Sequence, residues 1–154
     1  MAELQEGQPA PDFALPDEHG NIVRLGDFAG KRVVVYFYPA DDTPGCTKEA
    51  CQFTERNPAF EQAGIEVVGV SPDDAASHQR FRQKYGLTVR LLTDATHEVM
   101  ERYGAWGEKT LYGRKSTGVI RTTVLIGPDG VVMRVWRHVR ADGHAEKVLA
   151  AAGG

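Results

Sequence analysis

The stretch RVVVYFYPADDTPGCTKEACQFTERNPAF, residues 32–60, decides how this chain folds. Its apolar, β-branched opening predicts a strand over residues 32–38 that is covered on both faces. A proline-rich turn follows, and a helix then begins with Cys46 in its first turn. A thiol in that position faces unpaired backbone N–H groups and the positive end of the helix dipole, which favours the thiolate. Cys46 is therefore a candidate nucleophile.

Cys51, the other of two cysteines, lies five residues further along the same predicted helix. In a regular helix this spacing separates the two Cα atoms by about 8.6 Å and turns the side chains about 140° apart. A disulfide needs a Cα separation below about 7 Å. We therefore expect a Cys46–Cys51 disulfide to form only when the first turns of the helix unwind. Gly45 and the prolines before it make this helix end easy to open.

Length, charge and cysteine content limit the class of protein. The 154 residues are enough for one domain, and we expect 1–154 to form a single domain. The formal charge of -3 arises from interspersed charges of both signs, so we expect no nucleic-acid or membrane partner. The first residues do not resemble a secretory signal, and no window approaches the roughly 20 apolar residues of a membrane span. We expect a cytoplasmic protein, in which paired cysteines indicate catalysis or redox sensing.

The chain alternates between apolar strands and more polar helices. The predicted strands are residues 13–15, 21–25, 32–38, 65–70, 89–92, 121–126 and 131–137. The predicted helices are residues 45–62, a helix entered at 71–73 and ending at 85, 96–103 and 142–151.

Three local features qualify this pattern. The first two strands form a hairpin that turns at Gly20 and Asn21. Proline removes a backbone donor, so we expect an interruption of the first helix at Asn57 and Pro58. Residues 105–118, AWGEKTLYGRKSTG, have no clear period and are predicted to be an irregular loop.

The element order predicts an α/β protein with a mixed central sheet, helices on both faces and an N-terminal hairpin, which is the order of the thioredoxin fold.

The segment YPADDTPGCTKEAC, residues 38–51, resembles the active-site motif of the peroxiredoxins, P-x-x-x-T-x-x-C, which Pro39, Thr43 and Cys46 match. A second cysteine five residues on is similar to the bacterioferritin comigratory protein, or peroxiredoxin Q, subfamily. The resemblance covers almost the whole chain. Further similar stretches are GQPAPDFALPDEHGN, GVSPDDAASHQRF, AWGEKTLYG and GVIRTTVLIGPDG.

The resemblance implies a role for each matching residue. Cys46 is implied to be the peroxidatic cysteine and Cys51 the resolving cysteine. Thr43 is implied to place its hydroxyl at the peroxide, Pro39 to shield the thiolate and Arg121 to bring a guanidinium to the sulfur. Such a set suits peroxide reduction, because a thiolate that attacks one peroxide oxygen must expel the other as an anion, and donors stabilise that moving charge.

The implied reaction has three steps. The Cys46 thiolate attacks hydrogen peroxide or a small organic hydroperoxide and becomes a sulfenic acid. Cys51 then attacks the sulfenic acid to form an intramolecular disulfide, and a dithiol protein, thioredoxin, reduces it by exchange. Glu49 resembles the residue with which many relatives hold the arginine. No metal or other cofactor is implied, and members of the subfamily are frequently monomeric.

Simpler roles and other activities compete with this hypothesis. An arginine at the head of a strand is more often a surface cation, and Thr43 before a proline could simply cap the helix. Trp106 and Tyr112 are expected to pack in the core or in a lid. The histidines lack metal-ligand spacing and are expected on the surface or in loops: His19, His78, His97, His138 and His144. A peroxide-sensing redox switch with little turnover, and thiol–disulfide exchange without peroxide chemistry, are the alternative activities.

Overall fold

The structure is a computed structural model that describes residues 4–153. The described strands are β1 (Ala14–Pro16), β2 (Ile22–Arg24), β3 (Arg32–Phe37), β4 (Ile65–Ser71), β5 (Arg90–Thr93), β6 (Trp106–Leu111), β7 (Arg114–Val119), β8 (Thr122–Ile126) and β9 (Val132–Arg137). The α-helices are α1 (Pro44–Gln62), α2 (Ala75–Tyr85), α3 (Glu98–Arg102) and α4 (His144–Ala151).

The apolar run of β3 forms the middle of a five-stranded sheet with the strand order β5-β4-β3-β8-β9. β4 is parallel to both β3 and β5, whereas β8 is antiparallel to both β3 and β9. The predicted mixed sheet is therefore confirmed. The N-terminal hairpin is also confirmed, since β1 and β2 pair antiparallel with Leu15 opposite Val23.

Alternate residues of β3 enter two different cores. Val35 and Phe37 pack on one face, together with the N-terminal hairpin and α3. Val34 and Tyr36 pack on the other face, where α1, α2 and α4 contribute Phe53, Phe81 and Val148, respectively. Burial on both faces explains why the strand is continuously apolar. The helices lie on both faces, as predicted.

Gly69 in β4 allows the Tyr36 ring to lie flat against the sheet. A Cβ atom at Gly69 would lie 2.7 Å from Cζ of Tyr36, which is closer than real contacts allow. On its other side, the Tyr36 ring stacks on Phe53 of α1 with ring centroids 4.6 Å apart. This aromatic stack therefore packs the first half of α1 against the sheet.

The expected interruption of α1 at Asn57 and Pro58 is wrong. The helix continues through both residues to Gln62. Phe53 and Phe60, on either side of the proline, are both fully buried in the same core, and the Asn57 side-chain amide donates to Thr88 Oγ1 at 3.0 Å. Packing on both sides of the proline stabilises the helix more than the missing backbone donor destabilises it.

The loop predicted over residues 105–118 is also wrong, because β6 and β7 form an antiparallel hairpin there. Its two-residue turn, Tyr112-Gly113, has positive φ at both positions, 53° and 75°. Such a turn matches the twist of a hairpin. Tyr112 is 96% exposed and does not pack in a core or lid. Trp106 is partly buried against the core and stacks on His97, with ring centroids 3.7 Å apart.

Two histidines that were expected on the surface are buried, His78 and His144. His144 Nε2 lies 2.8 Å from Thr123 Oγ1. Burial, followed by the charges of Lys147 and Arg121, lowers the pKa of His144 to about 4, so the ring is neutral at physiological pH. Sequence spacing alone did not reveal that α2 and α4 turn these two side chains towards the sheet.

Candidate active site

Cys46 lies in the first turn of α1, three positions after the N-cap residue Thr43, whose backbone is extended. Pro44 occupies the first helical position, where its missing N–H costs no hydrogen bond. The Cys46 side chain is buried, with 1% of the residue exposed. The predicted placement of this thiol at a helix start is therefore confirmed, and burial keeps the side chain away from bulk water.

The sheet brings Arg121 to the same place. Arg121 directly precedes β8, and Thr122 at the start of β8 lies opposite Phe37 at the end of β3. The beginning of one strand and the end of its antiparallel neighbour therefore meet at one edge. There, Arg121 Nη2 donates to Cys46 Sγ at 2.9 Å. A guanidinium is permanently charged, so it stabilises negative charge on this sulfur over the whole physiological pH range.

Gly45 leaves room for that approach. A Cβ atom at this position would lie 3.0 Å from Arg121 Nη2, at the limit of contact distances. The glycine therefore does more than weaken the helix end, since it lets the guanidinium reach the sulfur across the first turn.

Glu49, one turn after Cys46, holds the other nitrogen of the same guanidinium. Arg121 Nη1 donates to Glu49 Oε1 at 3.0 Å, and Glu49 is 1% exposed. Burial raises the pKa of Glu49 to about 7, although the charge of Arg121 opposes the shift. Near neutral pH, the carboxyl group is therefore only partly ionised, and the guanidinium charge is shared between Glu49 and the sulfur.

Thr43 and Pro39 lie in the turn that precedes α1. The Thr43 hydroxyl donates to the Ala40 carbonyl at 2.9 Å and makes no capping hydrogen bond to the helix. Its oxygen retains lone pairs for a further donor. Pro39 and Arg121 line a surface groove together with Lys109 and His138. Pro39 thus lies beside Arg121, and Thr43 is the N-cap residue of the helix that carries Cys46. Their roles at the peroxide stay predictions.

Cys51 is half-buried, and both cysteines are free thiols in the structure. α1 is wound across both positions, so their Cα atoms are separated by about 8.6 Å on helical geometry. Burial raises the pKa of the Cys51 thiol. In this helical conformation, the Cys51 thiol is therefore protonated at neutral pH and is not bonded to Cys46. Its role as the resolving cysteine stays a prediction.

Sequence reasoning missed a buried polar cluster behind the turn, formed by Asp41, Asp73 and His78. One signal was available. Asp41 follows β3 and Asp73 follows β4, and the carboxyl ends of adjacent parallel strands share an edge. Their charges are therefore brought together by the same topology that forms the cysteine site.

The described residues show neither a metal-binding cluster nor a membrane-spanning helix. Among residues 4–153, no three His, Cys, Asp or Glu side chains are placed to share a metal ion. In the same range, no helix combines the length and apolar character needed to cross a membrane.

Comparisons with known proteins point to one family. Residues 6–135 match the AhpC/TSA family. A putative peroxiredoxin bcp of Coxiella burnetii is 46% identical over 146 residues, which are 95% of this chain and 97% of that protein. The peroxiredoxin Bcp of Escherichia coli is 41% identical over 149 residues, which are 97% of this chain and 96% of that protein.

A solved structure adds the fold. The bacterioferritin comigratory protein of Xanthomonas campestris, described for its alkyl peroxide reduction activity, superimposes with a TM-score of 0.89 at 36% identity. The match covers 97% of this chain and 98% of that one. The predicted thioredoxin-like α/β fold is thereby confirmed. By sequence and by fold, the chain belongs to the AhpC/TSA family and, within it, to the thiol-dependent peroxidases of the bacterioferritin comigratory protein or peroxiredoxin Q type.

Proposed function

We propose that this peroxidase reduces hydrogen peroxide and small organic hydroperoxides with Cys46 as the peroxidatic cysteine, Cys51 as the resolving cysteine and thioredoxin as the reductant. The single observation that carries the proposal is the 2.9 Å contact from Arg121 Nη2 to the buried sulfur of Cys46. The activity described for the Xanthomonas campestris relative supports the inclusion of alkyl hydroperoxides. We further propose that the protein works as a monomer in the cytoplasm.

The first step breaks the peroxide bond. The Cys46 thiolate attacks one oxygen, the O–O bond breaks, and the second oxygen leaves with the bonding electron pair and takes up a proton as water or an alcohol. Arg121 and the backbone N–H of Cys46 supply donors for the charge that develops on these oxygens. Because both are fixed before the reaction, little reorganisation is needed in the transition state.

The second step forms the disulfide. The Cys51 sulfur attacks the sulfenic sulfur of Cys46, and water leaves. Helical geometry keeps the two Cα atoms about 8.6 Å apart, so the first turns of α1 must unwind beforehand. Thioredoxin then reduces the disulfide by exchange through a mixed disulfide and is itself oxidised.

Stopped-flow oxidation with hydrogen peroxide, followed by turnover on thioredoxin, tests the proposal. We expect fast oxidation and sustained cycling of the wild type, no peroxide reduction by Cys46→Ser, and a single turnover followed by arrest for Cys51→Ser. Mass spectrometry after one equivalent of peroxide should show an internal disulfide in the wild type. Normal cycling of Cys51→Ser would disprove the resolving role, and slow oxidation without cycling would favour a redox switch.

A further inference from the structure

The turn between β3 and α1 is fastened to α2 by a buried ion pair. Asp41 Oδ2 lies 2.7 Å from His78 Nδ1, and the two side chains are 3% and 0% exposed. The same carboxylate accepts from Ser77 Oγ at 2.8 Å and, through Oδ1, from Tyr38 Oη at 2.6 Å. Three donors on one buried carboxylate are typical of the ionised form.

The hydrogen-bond partners of His78 determine its charge. Its Nε2 lies 3.1 Å from the Leu92 carbonyl oxygen, which can only accept, and its Nδ1 faces the Asp41 carboxylate. Both ring nitrogens must therefore carry a proton, which makes His78 an imidazolium. Burial alone would lower the pKa of His78, but the hydrogen bond and charge of Asp41 outweigh it, so that the pKa is raised.

Other charged groups surround the pair from each neighbouring element. Asp73, after β4, accepts from the Asp41 backbone N–H at 2.8 Å and adds negative charge near His78. Arg82, one turn further along α2, forms its own ion pair with Glu18. Asp94, after β5, instead accepts from the backbone N–H of Met100 at 2.9 Å. Asp41 and Asp73 are therefore the charges that hold the imidazolium.

The ion pair lies close in sequence to the reactive thiol. Pro44, the first residue of α1, follows Asp41 by three positions, and Cys46 follows by five. Within this turn, the Thr43 hydroxyl donates to the Ala40 carbonyl at 2.9 Å, which ties the residue before Asp41 to the N-cap residue of α1. A movement of Asp41 would therefore displace the start of α1.

We propose that Asp41 and His78 are positioning residues for the peroxide reaction: their ion pair places the start of α1 so that Cys46 meets Arg121, and it opposes the unwinding needed for disulfide formation. This inference rests on the proposed function of Cys46 and Cys51. The chain supplies its own comparison in the exposed pair of Asp42 with Lys84, 2.9 Å apart, which tethers the same turn to the same helix. Removing one partner of a buried ion pair leaves an uncompensated buried charge and is strongly destabilising, whereas the loss of an exposed pair has little effect.

Single-turnover oxidation by hydrogen peroxide in a Cys51→Ser background tests the inference. A misplacement of the nucleophile by about 1 Å can cost up to about a hundredfold in rate, so Asp41→Asn is expected to slow oxidation at least about tenfold. Asp42→Asn, the matched control, should stay within about twofold of the parent, because exposed pairs are weak and asparagine tolerates the left-handed backbone of Asp42. An Asp41→Asn rate equal to that of the parent would overturn the inference. A parent that does not react rapidly would instead overturn the proposed function.

A pH profile separates positioning from a general loss of structure. The pKa of His78 is raised above its ordinary value of about 6.5, so the ion pair is complete below about 6.5 and is lost as the pH rises through the raised value. The oxidation rate of the parent relative to that of His78→Asn is therefore expected to fall towards one at alkaline pH. A ratio that does not change with pH would contradict the inference.

A second measurement requires no substitution at the pair. In the reduced Glu49→Gln variant, whose helix α1 no longer contains a titrating buried carboxyl group, the free energy of opening measured by amide hydrogen exchange over residues 43–51 should decrease across the same alkaline range, after correction for intrinsic exchange. This readout decides the question even where Asp41→Asn or His78→Asn does not fold. A flat opening free energy would overturn the inference.

Discussion

Two ion pairs with buried carboxyl groups contact the start of α1 or the turn before it, and they hold their charges in different ways. In the Arg121–Glu49 pair, the Glu49 carboxyl group accepts one side-chain hydrogen bond among the described residues, from Arg121. Burial raises the pKa of this carboxyl group to about 7. In the His78–Asp41 pair, the carboxylate accepts three side-chain hydrogen bonds and the pKa of the histidine is raised.

The difference lies in the number of side-chain hydrogen-bond donors that each carboxyl group has. A carboxylate with several donors keeps its charge and fixes its partner in place. A carboxyl group with one donor in a buried site gives up part of its charge instead, which leaves the guanidinium free to interact with a second anion. Glu49 is therefore suited to share Arg121 with Cys46, and Asp41 is suited to hold the turn.

The largest expected effect comes from removing the shared cation. Arg121→Met deletes the donor to Cys46 Sγ and leaves Glu49 without its partner. We expect the rate of oxidation by hydrogen peroxide, measured by stopped-flow fluorescence, to fall by about a hundredfold or more. Arg90→Met, which removes an exposed cation from β5, is the control and should react as the wild type does. Retention of the wild-type rate by Arg121→Met would remove the basis of the proposed site.

The titration of Glu49 gives a second, thermodynamic test. Folding raises the pKa of Glu49 from 4.5 to about 7, so the protonated form is favoured in the fold, and its contribution to stability is lost as the pH rises between these values. Glu49→Gln cannot ionise. The free energy of unfolding of Glu49→Gln relative to wild type should therefore be higher at about pH 8 than at about pH 4 by about 3 kcal/mol. Urea unfolding at both pH values measures the difference, and equal values would show that Glu49 does not titrate abnormally.

A smaller effect is expected from crowding the guanidinium. In Gly45→Ala, the added methyl group would lie 3.0 Å from Arg121 Nη2 and would displace it from the sulfur. We expect oxidation by hydrogen peroxide to slow about threefold to tenfold, since small misplacements of catalytic groups are costly. Gly26→Ala is the matched control, because nothing lies within 4 Å of its added Cβ. Identical rates for the two variants would show that Arg121 adapts to the methyl group without loss.

The smallest signal is expected from the oxidised protein. Formation of the Cys46–Cys51 disulfide should unwind the first turns of α1, which separates Cys46 from Arg121 but leaves most of the 19-residue helix in place. Far-UV circular dichroism should therefore show a modest loss of helix signal in a protein whose disulfide is verified by mass. The Cys51→Ser variant, treated identically, should show no loss. An unchanged spectrum of the disulfide form would contradict the unwinding step.

The parts of the fold that could be predicted are those in which local sequence and burial agree. β3 is buried on both faces, so its sequence is continuously apolar, and the elements that follow it alternate clearly. The β6–β7 hairpin is different, because residues 112–117 are exposed and its turn is Tyr112-Gly113. Exposed strands need no apolar alternation, and tyrosine is not a usual residue at a left-handed turn position. The error at Pro58 arose because aromatic packing across the helix overrode a local rule.

The sequence by itself determined the chemistry of this protein: a thiol at a helix start, a second thiol too far away to bond without unwinding, and an arginine within a segment similar to that of known peroxidases. The tertiary structure alone decided which charged and reactive groups are in contact. Arg121 is 75 residues from Cys46, and His78 is 37 residues from Asp41. Their partnerships depend on strands that end at a common edge and on side-chain directions, neither of which is encoded in local spacing.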